Sequence, residues 1–158
     1  MKYYLDTEFN GLGGDLISLA LVSEDDRELY VALDCPNPGD WVAKNVLPII
    51  TVPGATPRPT LPSLISYWIS IFLQGDRDPC IIADWPDDIR YFCTAVITGP
   101  GQMIIVPSLR FEVRRIDAYP TMLPGAVQHN ALWDARALRY ACEPPETRAR
   151  GLSDGAGE

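Results

Sequence analysis

The sequence predicts a single α/β domain built on a mixed β-sheet. Its 158 residues, 47% hydrophobic and 22% charged, have the composition of an ordinary globular protein with one hydrophobic core. Three consecutive strands with short links predict an antiparallel meander at the start of the chain. Helices alternating with strands follow, and that order is typical of a mixed sheet covered by helices.

The meander occupies the N-terminal third of the chain. Residues 2–9 are rich in aromatic and large apolar side chains and predict the first strand. Residues 10–14, Asn-Gly-Leu-Gly-Gly, predict a turn with positive φ angles, and residues 15–22 and 28–33 predict the second and third strands. Because the glycine-rich turn leads into a strand rather than a helix, it does not predict a dinucleotide-binding loop.

Composition changes after the third strand. The segment that follows contains seven prolines, which exclude long regular elements. It leaves room for a short helix over residues 41–47, with Asp40 as its N-cap, and for an exposed loop over residues 51–62. A helix is predicted over residues 62–73, because large apolar side chains recur there at helical spacing.

The second half of the chain predicts alternating strands and helices. Short apolar runs at residues 80–83 and 103–106 indicate strands, and the pattern of residues 89–97 indicates a helix between them. Residues 107–128 contain arginines and prolines and predict a longer irregular stretch. The last helix is predicted over residues 131–142.

The C-terminal composition sets the predicted domain boundary. Pro144 and Pro145 cannot continue the last helix, and only one large apolar residue follows them. The sequence therefore predicts a folded domain over residues 1–143 and a disordered tail over residues 144–158.

Charge and cysteine content limit the function classes. The net charge of −8 argues against strong non-specific binding of long duplex nucleic acid. No apolar run reaches the roughly 18 residues that span a bilayer, and no signal-peptide pattern is present, so we expect a cytoplasmic protein without a membrane partner. Four widely spread cysteines without a C-x-x-C pair favour buried free thiols over zinc or disulfides. Arg110, Arg114 and Arg115 fit a phosphate-binding patch and a solvated loop equally well.

Acidic side chains cluster at the ends of predicted elements. Asp6 and Glu8 lie two positions apart on the first strand, so they project from the same face with their Cα atoms about 6 to 7 Å apart. Alone, such a pair also fits a solvated strand end. Asp84, Asp87 and Asp88 form a second cluster where a strand leads into a helix.

The third cluster contains His129, the only histidine, and Asp134. A spacing of five places two helical residues about 140° apart. The pair therefore converges only if His129 precedes the last helix and Asp134 lies on its first turns, and Asn130 is a suitable N-cap for this arrangement. Four carboxylates and one histidine suit two-metal phosphodiester hydrolysis, in which hard cations activate water and histidine accepts its proton.

The ordered motifs resemble those of the DEDDh 3′→5′ exonucleases, a family that includes RNase T, oligoribonuclease and a bacterial proofreading subunit. Residues 6–12, Asp-Thr-Glu-Phe-Asn-Gly-Leu, resemble its first motif, D-x-E-x-x-G-L. Residues 88–92 resemble the second, D-x-x-F-L, and residues 129–134 resemble the third, H-x4-D.

The second motif leaves a choice among three acids. The family usually has asparagine where this chain has Asp84, so Asp84, Asp87 and Asp88 all remain candidates. The spacing to Tyr91 and Phe92 favours Asp88, with Asp84 or Asp87 assisting or replacing it.

The resemblance implies an RNase H-like fold, a five-stranded mixed sheet with flanking helices. It implies two Mg²⁺ or Mn²⁺ ions, with His129 as the general base. The residues that it assigns as metal ligands, and with His129 as the catalytic set, are Asp6, Glu8, Asp88 and Asp134.

The implied substrate is the 3′ end of single-stranded RNA or DNA, or a 3′ overhang, and the product is a nucleoside 5′-monophosphate. By position in the family, the terminal nucleotide lies against Phe9, Asn10, Gly11 and Leu12, with Leu12 packed on its base. Several members of the family are dimers, which makes a homodimer a possible state of this chain. A catalytically idle nucleic-acid-binding module and a small-substrate phosphodiesterase are the alternatives.

Overall fold

A computed structural model describes residues 1–116 and 123–143 of the chain. Part of the predicted irregular stretch, residues 117–122, and the whole predicted tail, residues 144–158, lie outside the described residues.

The described residues form eight strands and four α-helices. The strands are β1 (Lys2–Phe9), β2 (Leu16–Ser23), β3 (Glu28–Ala32), β4 (Arg58–Pro59), β5 (Cys80–Ala83), β6 (Ile97–Gly99), β7 (Gln102–Met103) and β8 (Arg110–Val113). The helices are α1 (Asp40–Asn45), α2 (Ile65–Phe72), α3 (Pro86–Ala95) and α4 (Ala131–Cys142).

The main sheet is mixed and has the order β4-β3-β2-β1-β5-β8. The first three strands form the predicted antiparallel meander, while β5 pairs in parallel with both β1 and β8. The six strands correct the predicted five. The additional strand, β4, is a two-residue parallel pairing with Val31 and Ala32, inside the segment predicted as a loop. Proline is tolerated there because β4 lies at the sheet edge.

The strand predicted over residues 103–106 does not join the main sheet. Instead, β6 and β7 form a separate two-stranded hairpin. The edge position beside β5 belongs to β8, within the stretch predicted as irregular. Its polar and apolar residues alternate, and Phe111 packs edge-on against Phe92 of α3 at 6.0 Å between ring centroids. Pairing with β5 therefore makes this segment extended.

Hydrophobic clusters cover both faces of the sheet, because alternate strand side chains point to opposite sides. On one face, Leu5 and Ile81 pack with Ile69 of α2 and Phe92 of α3. On the other face, α4 packs against the sheet through two further hydrophobic clusters. In one of these, Tyr4 of β1 and Ile82 of β5 pack with Leu138 of α4. The central strand β1 is consequently enclosed on both sides.

Helix boundaries follow the predictions most closely at α4, which has the predicted bounds and the predicted N-cap. Helix α1 begins at Asp40, so Gly39 rather than Asp40 is its N-cap. Helix α3 begins three residues earlier than predicted, because Pro86 is accommodated in the first turn. The segment predicted as one helix from residue 62 starts with a 3₁₀ turn before α2.

All four cysteines are free thiols; Cys80 is buried, and Cys35, Cys93 and Cys142 are partly buried. Among the described residues, none of the helices has the length and apolar character that crossing a membrane requires.

Candidate active site

A cavity of about 360 Å³ lies where β1 and β5 end, beside the start of α4. All five residues that the sequence predicted as catalytic line this cavity: Asp6, Glu8, Asp88, His129 and Asp134. Asp84 and two tryptophans, Trp41 and Trp85, also line it. The three acidic clusters, far apart in the chain, are therefore neighbours in the fold.

Strand β1 delivers the first two acids. Asp6 and Glu8 project from the same face, as the two-residue strand period requires. The pairing register between β1 and β2 shifts between Glu8 and Phe9, which redirects the chain immediately after the acids. Glu8 is only 9% exposed, so its carboxylate faces the cavity rather than bulk solvent.

The third acid, Asp88, lies on the first turn of α3 and is 3% exposed. Thr7 of β1 donates two hydrogen bonds to Oδ1 of Asp88, from its backbone N–H at 3.1 Å and from Oγ1 at 2.6 Å. These bonds fix the start of α3 against the end of β1. By contrast, Asp87 forms an ion pair with Arg90 at 2.8 Å and does not line the cavity.

Helix α4 delivers the remaining pair. His129 lies before the helix with a φ of 64°, and its backbone N–H donates to Oδ2 of Asp134 at 2.9 Å. The Asn130 side chain caps the helix by accepting a hydrogen bond from Trp133 N–H at 3.1 Å. The predicted arrangement, with histidine in the loop and aspartate in the first turn, is confirmed. The Trp41 and imidazole rings contact each other nearly at right angles, with centroids 5.1 Å apart.

The ligand atoms in the cavity form two groups, within each of which they lie within 4.8 Å of one another. One group contains Asp6, Asp84 and Asp88, and the other contains Glu8, His129 and Asp134. Each group has the oxygen-rich donor set that Mg²⁺ and Mn²⁺ prefer.

The carboxyls in the cavity repel one another. Burial, followed by the charges of Asp134 and Asp88, raises the pKa of Glu8 to about 8. Burial also raises the pKa of Asp88 to about 7, although the hydrogen bond from Thr7 opposes that shift. The pKa of Asp6 is well above its ordinary value, because its carboxyl is enclosed and faces Asp88.

The described residues that line the cavity include no lysine or arginine to balance these charges. A divalent cation would favour the ionised carboxylates that proximity and burial disfavour. The residues present therefore fit divalent metal ions on their donor chemistry and on their charge.

The turn after β1 lies at the rim of the cavity. Phe9 and Gly11 line it, and the Phe9 ring stacks on Tyr91 at 4.7 Å between centroids. The Asn10 side chain donates to Asn37 O at 2.9 Å and accepts from Gly39 N–H at 2.8 Å, which ties the turn to the start of α1. Leu12 is 92% exposed at the tip of the turn.

Sequence reasoning missed four residues of the cavity, Thr7, Trp41, Val42 and Trp85. Thr7 lies between the two acids of the first motif, and no local pattern shows that it reaches Asp88. Trp41 belongs to a short helix in a proline-rich segment. Trp85 adjoins the second acidic cluster in the sequence, and this position was the only available sign that it lines the cavity.

Comparison with known proteins finds no family model that matches the chain. It does find two curated relatives, both named 3′-5′ exoribonuclease, from two strains of Mycobacterium tuberculosis. Each is 31% identical to this chain over 148 residues, and the alignment covers 86% of this chain and 88% of the relative. The similarity therefore extends over most of both chains.

Proposed function

Because the chain belongs to the family of these mycobacterial 3′-5′ exoribonucleases, we propose that it removes nucleoside 5′-monophosphates from the 3′ end of single-stranded RNA or of a 3′ overhang. The observation that carries the proposal is the meeting of four acids and the only histidine in one cavity. Water attack on a phosphodiester requires neutralisation of its charge and a proton acceptor; cations held by the four acids would supply the first, and His129 supplies the second.

The finer assignment is to the DEDDh type with an RNase H-like fold. The order of the three motifs along the chain and their convergence in one cavity support this assignment. Without the two-residue β4, the main sheet also has the five strands that such a fold implies.

Asp6, Glu8, Asp88 and Asp134 would hold two Mg²⁺ or Mn²⁺ ions. Such ions, when bound, supply Lewis-acid stabilisation of phosphoryl oxygens and a lower pKa for bound water. Asp84 assists Asp88, since it belongs to the same group of ligand atoms. Asp87 is engaged with Arg90 instead, which favours Asp88 as the acid of the second motif.

His129 acts as the general base that takes the proton of the attacking water. Its imidazole lines the cavity beside Glu8 and Asp134, and the Trp41 ring restricts its orientation. A positioned histidine is suited to accept a proton near neutral pH.

The rim turn holds the terminal nucleotide. The Gly11 backbone and the Phe9 side chain offer a surface for its sugar, and the exposed Leu12 side chain is free to pack on its base. Asn10 acts through the shape of the turn, because its side chain is bonded to the segment before α1.

The test is incubation of the wild type and Asp6→Asn with Mn²⁺ and 5′-labelled RNA, DNA or a dinucleotide. We expect wild type to shorten the RNA from its 3′ end, one nucleotide at a time, and Asp6→Asn to lose this activity. Asp78→Asn is the matched control, because Asp78 is an exposed acid just before β5, at the opposite end of that strand from the cavity.

Other outcomes would support the alternatives. Cleavage confined to the dinucleotide favours a small-substrate phosphodiesterase, which the net charge of −8 also suits. Binding of RNA without cleavage of any substrate favours an idle nucleic-acid-binding module. Cleavage of RNA and DNA at different rates measures the contribution of the 2′-hydroxyl.

A homodimer and a cytoplasmic location stay predictions from the sequence. Light scattering on the purified chain and fractionation of cells measure them directly.

A further inference from the structure

Arg115 is a cation at the edge of the candidate active site. The parallel register pairs Ala83 of β5 with Val113 of β8. The segments that follow these two strands, which carry Trp85 and Arg115, continue side by side. The Arg115 guanidinium carbon lies 4.7 Å from the centroid of the Trp85 ring. Trp85 is 47% exposed and lines the cavity, so Arg115 stands beside its mouth.

The other two arginines of this region are already paired. Arg110 forms an ion pair with Asp78, and Arg114 forms one with Glu112. Within the described residues Arg115 forms no such pair, and its guanidinium lies over the face of Trp85, which lines the cavity. Of the three arginines that the sequence singled out, Arg115 is thus the one that no described acid pairs with, and it is available to meet a phosphate.

The contact with Trp85 orients the guanidinium. A guanidinium over an aromatic face keeps its planar fork of N–H donors directed outward, where it can meet a phosphate in a bidentate arrangement. Trp85 is itself held, because its indole N–H donates to Oδ2 of Asp87 at 3.3 Å. The other oxygen of Asp87 accepts from Arg90 at 2.8 Å.

We propose that Arg115, supported on the face of Trp85, binds a backbone phosphate of the RNA upstream of the scissile linkage. The inference rests on the proposed function and adds a contact to the upstream strand. An acidic cavity in a chain of net charge −8 repels the phosphates that trail behind the terminal nucleotide. A cation at the rim offsets that repulsion. Trp85 is the positioning residue and Arg115 the binding residue.

The test compares two substrates in Mn²⁺. The p-nitrophenyl ester of thymidine 5′-monophosphate has one phosphodiester and no upstream phosphate, whereas a short single-stranded oligoribonucleotide has several. We expect Arg115→Ala to raise KM for the oligoribonucleotide about tenfold, the value of one charge-assisted hydrogen bond, while kcat changes little. Hydrolysis of the p-nitrophenyl ester should keep its KM.

A salt titration gives a readout that a merely structural role would not change. With an oligoribonucleotide whose terminal linkage is a cleavage-resistant phosphorothioate, the slope of log Kd against log salt should fall by about 0.7 in Arg115→Ala. Arg115→Lys should restore much of that slope but less of the affinity, because lysine keeps the charge and lacks the planar fork. Trp85→Leu should also raise Kd for the oligoribonucleotide, because Arg115 loses the ring that orients it.

Arg58→Ala is the matched control. Arg58 is also an exposed arginine over a tryptophan, 4.3 Å from the Trp68 ring centroid, but it lies on β4 at the opposite edge of the sheet. Equal effects of Arg58→Ala and Arg115→Ala, or an unchanged salt slope in Arg115→Ala, would overturn the inference. Wild type that cleaves neither substrate would overturn the proposed function instead, and the Kd measurements would still judge the phosphate contact.

Discussion

His129 is positioned by its backbone as much as by its side chain. A φ of 64° is the left-handed region, which a residue with a Cβ adopts at a cost. The hydrogen bond from its N–H to Asp134 stabilises that conformation and joins the two residues of the third motif. Strained backbone of this kind is common where a side chain must be presented to a ligand.

At this scale, replacing the proposed base His129 should separate chemistry from metal binding. His129→Ala should lower kcat on RNA by about 10² to 10⁴, the usual contribution of a positioned general base. Mn²⁺ binding, followed by calorimetry, should persist because the four carboxylates remain. Turnover near that of wild type would contradict the role of base, and lost Mn²⁺ binding would make His129 a ligand.

Asp134→Asn should weaken Mn²⁺ binding, since an amide oxygen carries no charge to offset that of the cation. The measurement is a Mn²⁺ titration at fixed pH. Asp87→Asn serves as control, because Asp87 is paired with Arg90 outside the cavity. A titration of Asp134→Asn that superimposes on that of wild type would exclude the residue from the metal site.

Single residues were predictable where a motif fixes their spacing. The strand period placed Asp6 and Glu8 on one face, and both line the cavity. Helix geometry required His129 to precede α4 if it was to meet Asp134, and the structure has this arrangement. Thr7 and Trp41 were not predictable, because their contacts with the site depend on elements distant in sequence.

At the scale of elements, the start of α4 joins the site to the core. Asn130 is fully buried, and beyond its capping bond its Nδ2 donates to the carbonyl of Ile49 at 2.8 Å. The cap therefore fastens the turn that carries His129 to the chain segment after α1. Loss of these bonds should affect stability and catalysis together.

Asn130→Ala should destabilise the fold by about 2 to 3 kcal/mol, combining a lost cap with the lost hydrogen bond to the partly buried Ile49 carbonyl. For a chain of this size that corresponds to a drop in Tm of roughly 4 to 12 °C, measurable by circular dichroism. Asn45→Ala is the control, since Asn45 is an exposed asparagine at the end of α1. A Tm equal to that of the control would show that the cap contributes nothing.

Elements were predictable when their signals are local. Helix α4 has an N-cap before it and two prolines after it, and both bounds came out as predicted. The edge strands β4 and β8 have no comparable signal, because each becomes extended only by pairing with a strand distant in sequence. That dependence explains why the sheet has six strands instead of five.

At the scale of the whole molecule, the site places several carboxyls of one charge inside the fold. The pKa of Glu8 rises from 4.5 to about 8, and that of Asp88 rises from 3.8 to about 7. A raised acid pKa means that the folded protein binds protons more tightly than the unfolded chain. The stability from that binding is present below about pH 4 and is lost as pH rises toward 7 to 8.

The metal-free protein should therefore be more stable near pH 5 than near pH 8, with the difference read as Tm in EDTA. Mn²⁺ should raise Tm much more at pH 8 than at pH 5, because protons compete with the cation for the same carboxylates. A Tm that rises with pH in EDTA would mean that the carboxyls are ionised and stabilised without a cation.

Asp88→Asn tests the same repulsion between carboxyls by removing one of the charges instead of adding a cation. The amide keeps an oxygen that can accept both hydrogen bonds from Thr7 and removes one of the crowded charges. The variant should consequently have a higher Tm than wild type at pH 8 in EDTA, a flatter dependence of Tm on pH, and little exonuclease activity. Such a gain in stability with a loss of function is expected where a site holds like charges together for a ligand. Asp78→Asn, an exposed acid at the opposite end of β5 from the cavity, should show neither change. An Asp88→Asn protein less stable than wild type at pH 8 would contradict the electrostatic account.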